Sequence, residues 1–164
     1  MFPDDIEMLA REVLERARAL GLKIGTAESC TGGLVCGALT AIAGSSDVVE
    51  GGVVTYSYPV KEAILGVGKA LLASEGAVSE PVAIAMAKGA LPALGVDLAV
   101  AVTGVAGPGG GSADKPVGLV HFATARKGAD AVHREERFGD IGREAVRLAS
   151  VKVALMMLAE RLGA

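Results

Sequence analysis

Leu22-Lys23-Ile24-Gly25-Thr26-Ala27-Glu28-Ser29-Cys30-Thr31-Gly32-Gly33-Leu34-Val35-Cys36-Gly37-Ala38-Leu39 is the stretch whose reading decides the fold. Two short apolar runs flank a turn that holds an acid, a hydroxyl, a thiol and two glycines side by side. A strand that passes into a helix through such a turn predicts an α/β unit with reactive side chains beside the free N–H groups of a helix start. The rest of the chain then has to supply a base, a substrate cradle and a rigid support.

Working outward, Asp4 or Asp5 is a candidate cap for a first helix with Ile6, Leu9, Val13, Ala17 and Leu20 facing inward, stopped by Gly21. After the turn a helix is predicted to about Ala43, where Gly44-Ser45-Ser46-Asp47 breaks it. Val48–Tyr56 reads as a strand, with Gly51-Gly52 marking a bulge or a close backbone contact. Pro59 suits the first turn of a short helix over Val60–Leu65. A small amphipathic piece, Lys69–Ser74, precedes a helix from Ser79 to about Leu94. Asp97–Thr103 is wholly apolar after its first residue, the pattern of a strand covered on both faces. Val117–Arg126 and Ala131–Phe138 read as a hairpin, and Gly142–Leu162 as a last helix with Ala145, Leu148, Ala149, Val153, Met156 and Met157 inward. The fold class expected is α/β: a three-layer α/β/α sandwich with a mixed central sheet, as one domain over residues 1–164.

Composition narrows the function. The 164 residues are 51% hydrophobic but only 3% aromatic and contain no Trp, so an Ala/Val/Leu/Ile core is expected. A net charge of −3 argues against a nucleic-acid partner, which needs a basic face. The acidic start, Met1-Phe2-Pro3-Asp4-Asp5, is unlike a signal peptide, and no apolar run reaches membrane-spanning length, so a cytoplasmic protein without a membrane partner is expected. The two cysteines, Cys30 and Cys36, form neither a disulfide framework nor a zinc pattern.

Several residues carry chemistry. Ser29 is either a nucleophile or a helix cap, since serine is a preferred cap. Cys30 is the rival nucleophile, its thiol activated by a helix N-terminus, or a small buried hydrophobe. Both histidines, His121 and His133, fall in the C-terminal hairpin and read as structural, which disfavours a Ser-His-Asp triad. Lys61, just after Pro59, sits where a helix dipole and partial burial lower a lysine pKa towards that of a general base; the plain alternative is a surface lysine. Tyr56, closing the preceding strand, either bridges Ser29 and Lys61 or simply packs, and Tyr58 is a second candidate whose direction the extended conformation before Pro59 leaves open. The loop Thr103–Ser112, with five glycines, offers N–H groups to an anion, phosphate above all, yet matches neither a Rossmann fingerprint nor a P-loop.

Taken together, Thr26-Ala-Glu-Ser-Cys-Thr-Gly-Gly33, Gly44-Ser-Ser46, Val54-Thr-Tyr-Ser57 with Lys61, Gly76-Ala-Val-Ser-Glu80, and Val102–Ser112 with Lys115-Pro-Val-Gly118 resemble the CinA C-terminal domain family. Its stand-alone members are nicotinamide-nucleotide amidases. The resemblance runs from about Asp5 to Leu162 and implies hydrolysis of the carboxamide of nicotinamide mononucleotide, with no metal and no other cofactor. It implies Ser29 as nucleophile, Lys61 as general base and Tyr56, rather than Tyr58, assisting proton transfer. Around the nucleotide it places Glu28, Cys30, Thr31, Gly32 and Gly33 of the turn and Thr103, Gly104, Gly107, Gly109 and Gly110 of the loop. Arg143, or Arg147, would neutralise the phosphate. It also implies self-association, so a homo-oligomer is expected. Two rival readings remain: a cysteine amidohydrolase using Cys30, and a non-catalytic nucleotide-binding or partner module.

Overall fold

The computed structural model describes residues 1–163; Ala164, the last residue of the expected single unit, lies outside the described residues. Six α-helices, one 3-10 turn and five strands follow one another as α1 (Asp4–Leu20), β1 (Ile24–Glu28), α2 (Leu34–Thr40), the 3-10 turn Ser45–Asp47, β2 (Val49–Val54), α3 (Tyr58–Leu65), α4 (Lys69–Glu75), α5 (Glu80–Leu94), β3 (Leu98–Gly104), β4 (Leu119–Arg126), β5 (Val132–Arg137) and α6 (Arg143–Gly163). The sheet order is β2-β1-β3-β4-β5. β1 lies parallel to both β2 and β3, whereas β3–β4 and β4–β5 are antiparallel, which makes the sheet mixed as expected.

The pleat sorts side chains by size. Leu98, Val100, Val102, Val120 and Phe122 face the layer of α1, α2 and α6, where they join one hydrophobic core. Their neighbours Ala99, Ala101, Ala123 and Ala125 face the other way into a second core with α5 and its flanking helices. The bulky residues fill the first interface and the alanines let α5 lie close on the second, because alternate strand residues point to opposite faces. Two layers of helix therefore enclose the sheet.

Gly52 shows why the second strand carries a glycine pair. A Cβ there would lie 2.3 Å from Thr26 Oγ1 and 2.9 Å from Cys36 Sγ, so only glycine lets β2 pass the β1–α2 corner. The β1–β2 register also skips Glu50 between Val49 and Gly51. Both expectations for Gly51-Gly52 are met.

Some boundaries and faces differ from the sequence reading. α1 has Pro3 rather than Asp4 or Asp5 at its cap position, with no side-chain cap; Asp4, Asp5 and Glu7 instead sit in the first turn, where the dipole favours them. Leu20 is exposed at the helix end. α2 stops at Thr40 and β2 at Val54, short of Ala43 and Tyr56. On α6 the inward face is Val146, Ser150, Val151, Ala154, Leu155 and Leu158 along with Met157, whereas Ala145 and Met156 are exposed and Leu148, Ala149 and Val153 only half-buried. The phase expected was off by about one residue. Buried Ser150 meets its hydrogen-bonding need within the helix, donating to the Val146 carbonyl at 2.7 Å.

Candidate active site

β1 ends on Glu28, and the chain turns through Ser29–Gly33 into α2. Gly32 (φ 58°) and Gly33 (φ 98°) take up the left-handed conformations that this reversal needs. Gly33, not Ser29, stands at the cap position of α2. The N–H groups of the helix start are not free either. Glu28, 1% exposed, accepts from Val35 N at 2.9 Å, Cys36 N at 3.0 Å and the Thr26 hydroxyl at 3.0 Å. Its carboxylate thus pins the first turn of α2 to β1 from inside, which corrects the expectation that it faces a substrate. Replacing it leaves buried donors unpaired, at about 1–3 kcal/mol. Glu28→Ala is expected to lower unfolding stability in urea by at least that range.

Released from capping, Ser29 meets Lys61. The Lys61 Nζ lies 3.1 Å from Ser29 Oγ, and the lysine is wholly buried. Pro59 and the extended Ser57 start α3, so Lys61 falls at the fourth helical position, its N–H bonding back to the Ser57 carbonyl. Its Nζ also donates to the carbonyls of Thr55 at 2.6 Å and Tyr56 at 3.2 Å. Two carbonyls and a hydroxyl suit a neutral amine well: two N–H bonds go to the carbonyls, leaving the lone pair for the Ser29 O–H. Burial lowers the lysine pKa to about 8, which holds an appreciable neutral fraction near physiological pH. Burial is the main cause, where the sequence reading had put the helix dipole first.

The same burial works against the thiol. Cys30 is 6% exposed and its pKa is pushed up to about 12, so almost no thiolate forms at neutral pH. Of the two readings of Cys30, this burial is that of the small buried hydrophobe, and Glu28 takes the Val35 and Cys36 N–H groups of the helix start.

A cleft opens from this pair. An inner lobe of about 210 Å³ is walled by Ser29, Cys30, Lys61, Thr103 and Ala77, and an outer lobe of about 410 Å³ runs along Gly104, Gly107, Gly109 and Gly110 to Lys115. Tyr56 and Arg143 line both lobes. Thr103 donates its hydroxyl to the Ala77 carbonyl at 2.9 Å, keeping its oxygen lone pairs for another donor. Among the described residues nothing accepts from the N–H groups of Ala106, Gly107, Gly109 or Gly110. Glu28, Thr31, Gly32 and Gly33 do not line the cleft.

Tyr56 does not stand between the serine and the lysine. Its hydroxyl lies 3.3 Å from the Arg143 guanidinium, and its ring is 62% exposed at the cleft mouth. Arg143 also donates to the Gly107 carbonyl at 2.9 Å, so one side chain spans the mouth. Arg147 lies behind the nucleophile turn rather than in the cleft. Tyr58 accepts from the Ala77 N–H at 3.1 Å and so braces the inner wall. Lys115 was missed as a cleft residue in the sequence; its ammonium donates to the Glu75 carbonyl at the end of α4, a contact made forty residues away. His121 and His133 bond to each other at 2.8 Å outside the cleft. No group of three or more metal-ligating side chains comes together among the described residues, and no helix is long and apolar enough to cross a membrane.

The geometry thus sets a serine on a strand–turn–helix corner with a buried lysine at hydrogen-bond distance. The comparisons with known proteins then fix the family. Residues 6–162 match the model of the CinA C-terminal domain, and the chain belongs to that family. It is 55% identical over 159 residues to a CinA-like protein of Synechococcus sp. (strain RCC307), covering 96% of this chain but only 38% of that protein. The nicotinamide-nucleotide amidohydrolase PncC of Escherichia coli (strain K12) is 46% identical over 159 residues, 96% of this chain and 95% of its own length. Among solved structures, the competence/damage inducible protein CihA from Agrobacterium tumefaciens superposes with a TM-score of 0.97 at 55% identity, over 100% of this chain and 99% of that one.

Proposed function

We propose that this chain is an amidohydrolase that cleaves the carboxamide of nicotinamide mononucleotide to nicotinate mononucleotide and ammonia, in pyridine-nucleotide recycling. The observation that carries the reading is the buried Lys61 Nζ at 3.1 Å from Ser29 Oγ. Similarity to the Escherichia coli nicotinamide-nucleotide amidohydrolase over nearly its whole length supports a nicotinamide nucleotide as the substrate.

In this reading neutral Lys61 takes the Ser29 proton directly as Oγ attacks the amide carbon. The carbonyls of Thr55 and Tyr56 then hold the resulting ammonium, which needs three acceptors and has them. The tetrahedral oxyanion forms beside the Cys30 N–H, which has no acceptor among the described residues; one such donor contributes about 3 kcal/mol in comparable sites. Lys61 returns the proton to the departing ammonia. Water, deprotonated by the same amine, then hydrolyses the Ser29 ester.

The outer lobe takes the ribose phosphate. Free N–H groups of the glycine loop and the cations Lys115 and Arg143 meet its charge there, and Tyr56 contributes a wall and its hydroxyl at the mouth. The decisive experiment follows ammonia release from nicotinamide mononucleotide, with the nucleoside lacking the phosphate as control. Turnover of the nucleotide with a fall of at least about tenfold in kcat/KM for the nucleoside is expected, one charge-assisted contact being worth about 1.5–3 kcal/mol. Binding without turnover would favour the non-catalytic module instead.

A further inference from the structure

Arg147 sits on α6 behind the turn that carries Ser29. Its Nε donates to the Cys30 carbonyl at 3.1 Å and a terminal nitrogen donates to the Thr31 carbonyl at 3.3 Å. No ion pair among the described residues includes it. Its place on α6 is unfavourable for the helix itself. Arg143 lies one helical turn before it, a like-charge spacing that destabilises a helix, and the pair opens α6 at the positive end of the dipole.

What the guanidinium holds is a turn with little stiffness of its own. Gly32 and Gly33 follow Thr31, both with positive φ, and a Cβ on Gly32 would come within 3.1 Å of the guanidinium. A planar fork can grip two neighbouring carbonyls in one orientation, which a lysine ammonium does less well. With those carbonyls drawn to Arg147, the Gly32 N–H closes back on the Ser29 carbonyl at 3.0 Å. The Cys30 N–H stays unpaired beside the nucleophile. The charge also reaches this turn, since Arg147 acts on the Cys30 thiol in the direction that favours an anion.

We propose that Arg147 is a positioning residue for the reaction: it fixes the Ser29–Gly32 turn so that the Cys30 N–H meets the oxyanion, and its charge favours that anion. The inference rests on the hydrolase reading above. It assigns Arg147 to the back of the oxyanion site, not to the phosphate.

The test uses Arg147→Ala and Arg147→Lys in the full chain, with two readouts. One is ammonia release from nicotinamide mononucleotide; the other is labelling of Ser29 by a fluorophosphonate, which needs no knowledge of the substrate. Arg147→Ala is expected to lose about 100-fold in kcat with KM within about threefold, and to label at least tenfold more slowly. Added guanidinium at tens of millimolar should restore both rates in Arg147→Ala and neither in Ser29→Ala, while Arg147→Lys falls between. Labelling and turnover near wild type would overturn the proposal. So would a rise in KM at unchanged kcat, or a loss that guanidinium restores in neither variant, which would leave the arginine a role in the fold alone. A wild-type chain that labels rapidly but releases no ammonia would strike at the substrate reading and leave the labelling comparison to decide on Arg147.

Discussion

Ser29→Ala is expected to abolish the proposed amide hydrolysis, with a fall of at least about 10³-fold in kcat, on the order of 4 kcal/mol of transition-state stabilisation. The serine has no second job that would blur the result. It neither caps α2, where Gly33 stands, nor ties the sheet, where Glu28 holds the helix start. The folded stability of Ser29→Ala should therefore stay close to wild type in urea titrations. Cys30→Ser is the matched control. Its thiol is buried and held protonated, so activity is expected within a few-fold of wild type. Activity retained in Ser29→Ala and lost in Cys30→Ser would reverse the assignment of the nucleophile.

Lys61→Met gives the second large effect, on rate and on stability in different directions with pH. Removing the base should cost at least about 10³-fold in kcat, because the serine then has no proton acceptor within reach. In the proposed mechanism the active form is the neutral amine, so kcat/KM should rise through a limb near pH 8 and level above it. The same group is a burden on the fold. Its pKa is about 8 when folded, against 10.5 for an ordinary lysine. Below about pH 8 it is protonated in both states and the cost of burying its charge is fully present. As pH rises from 8 towards 10.5 the unfolded chain binds more protons than the folded one, and that cost is relieved. The stability of the wild type relative to Lys61→Met should accordingly grow by about 2–3 kcal/mol between pH 7 and pH 10. A difference that stays flat with pH would mean that Lys61 titrates normally.

How much of this was readable beforehand depended on whether the relevant contact was local. The strand–turn–helix around Ser29 and the helix opened by Pro59 follow from neighbouring residues, and both stand in the structure. So does the layered mixed sheet, because its apolar runs and breakers are short-range signals. The role of Glu28 was not readable. It depends on which way a buried carboxylate turns, and only the fold shows that Val35 and Cys36 receive it. Lys115 and Arg147 act through carbonyls at Glu75, Cys30 and Thr31, which side-chain patterns do not announce. The face of α6 was misjudged because Leu148–Ala159 is apolar at nearly every position, so several helical phases fit and the buried Ser150 gave no help.

The span of chain that each site contact bridges has a consequence for how the protein acquires activity. Ser29 meets Lys61 across 32 residues, Tyr56 meets Arg143 across 87 and Cys30 meets Arg147 across 117. The parallel strands beneath them also pair only after long crossovers. Loops of that length close late and slowly, since their entropy is lost before the contacts that reward it form. No fragment that ends before α6 can hold the turn, the base and the mouth together. Catalytic competence should therefore emerge in one step with the final docking of the C-terminal helix during synthesis or refolding.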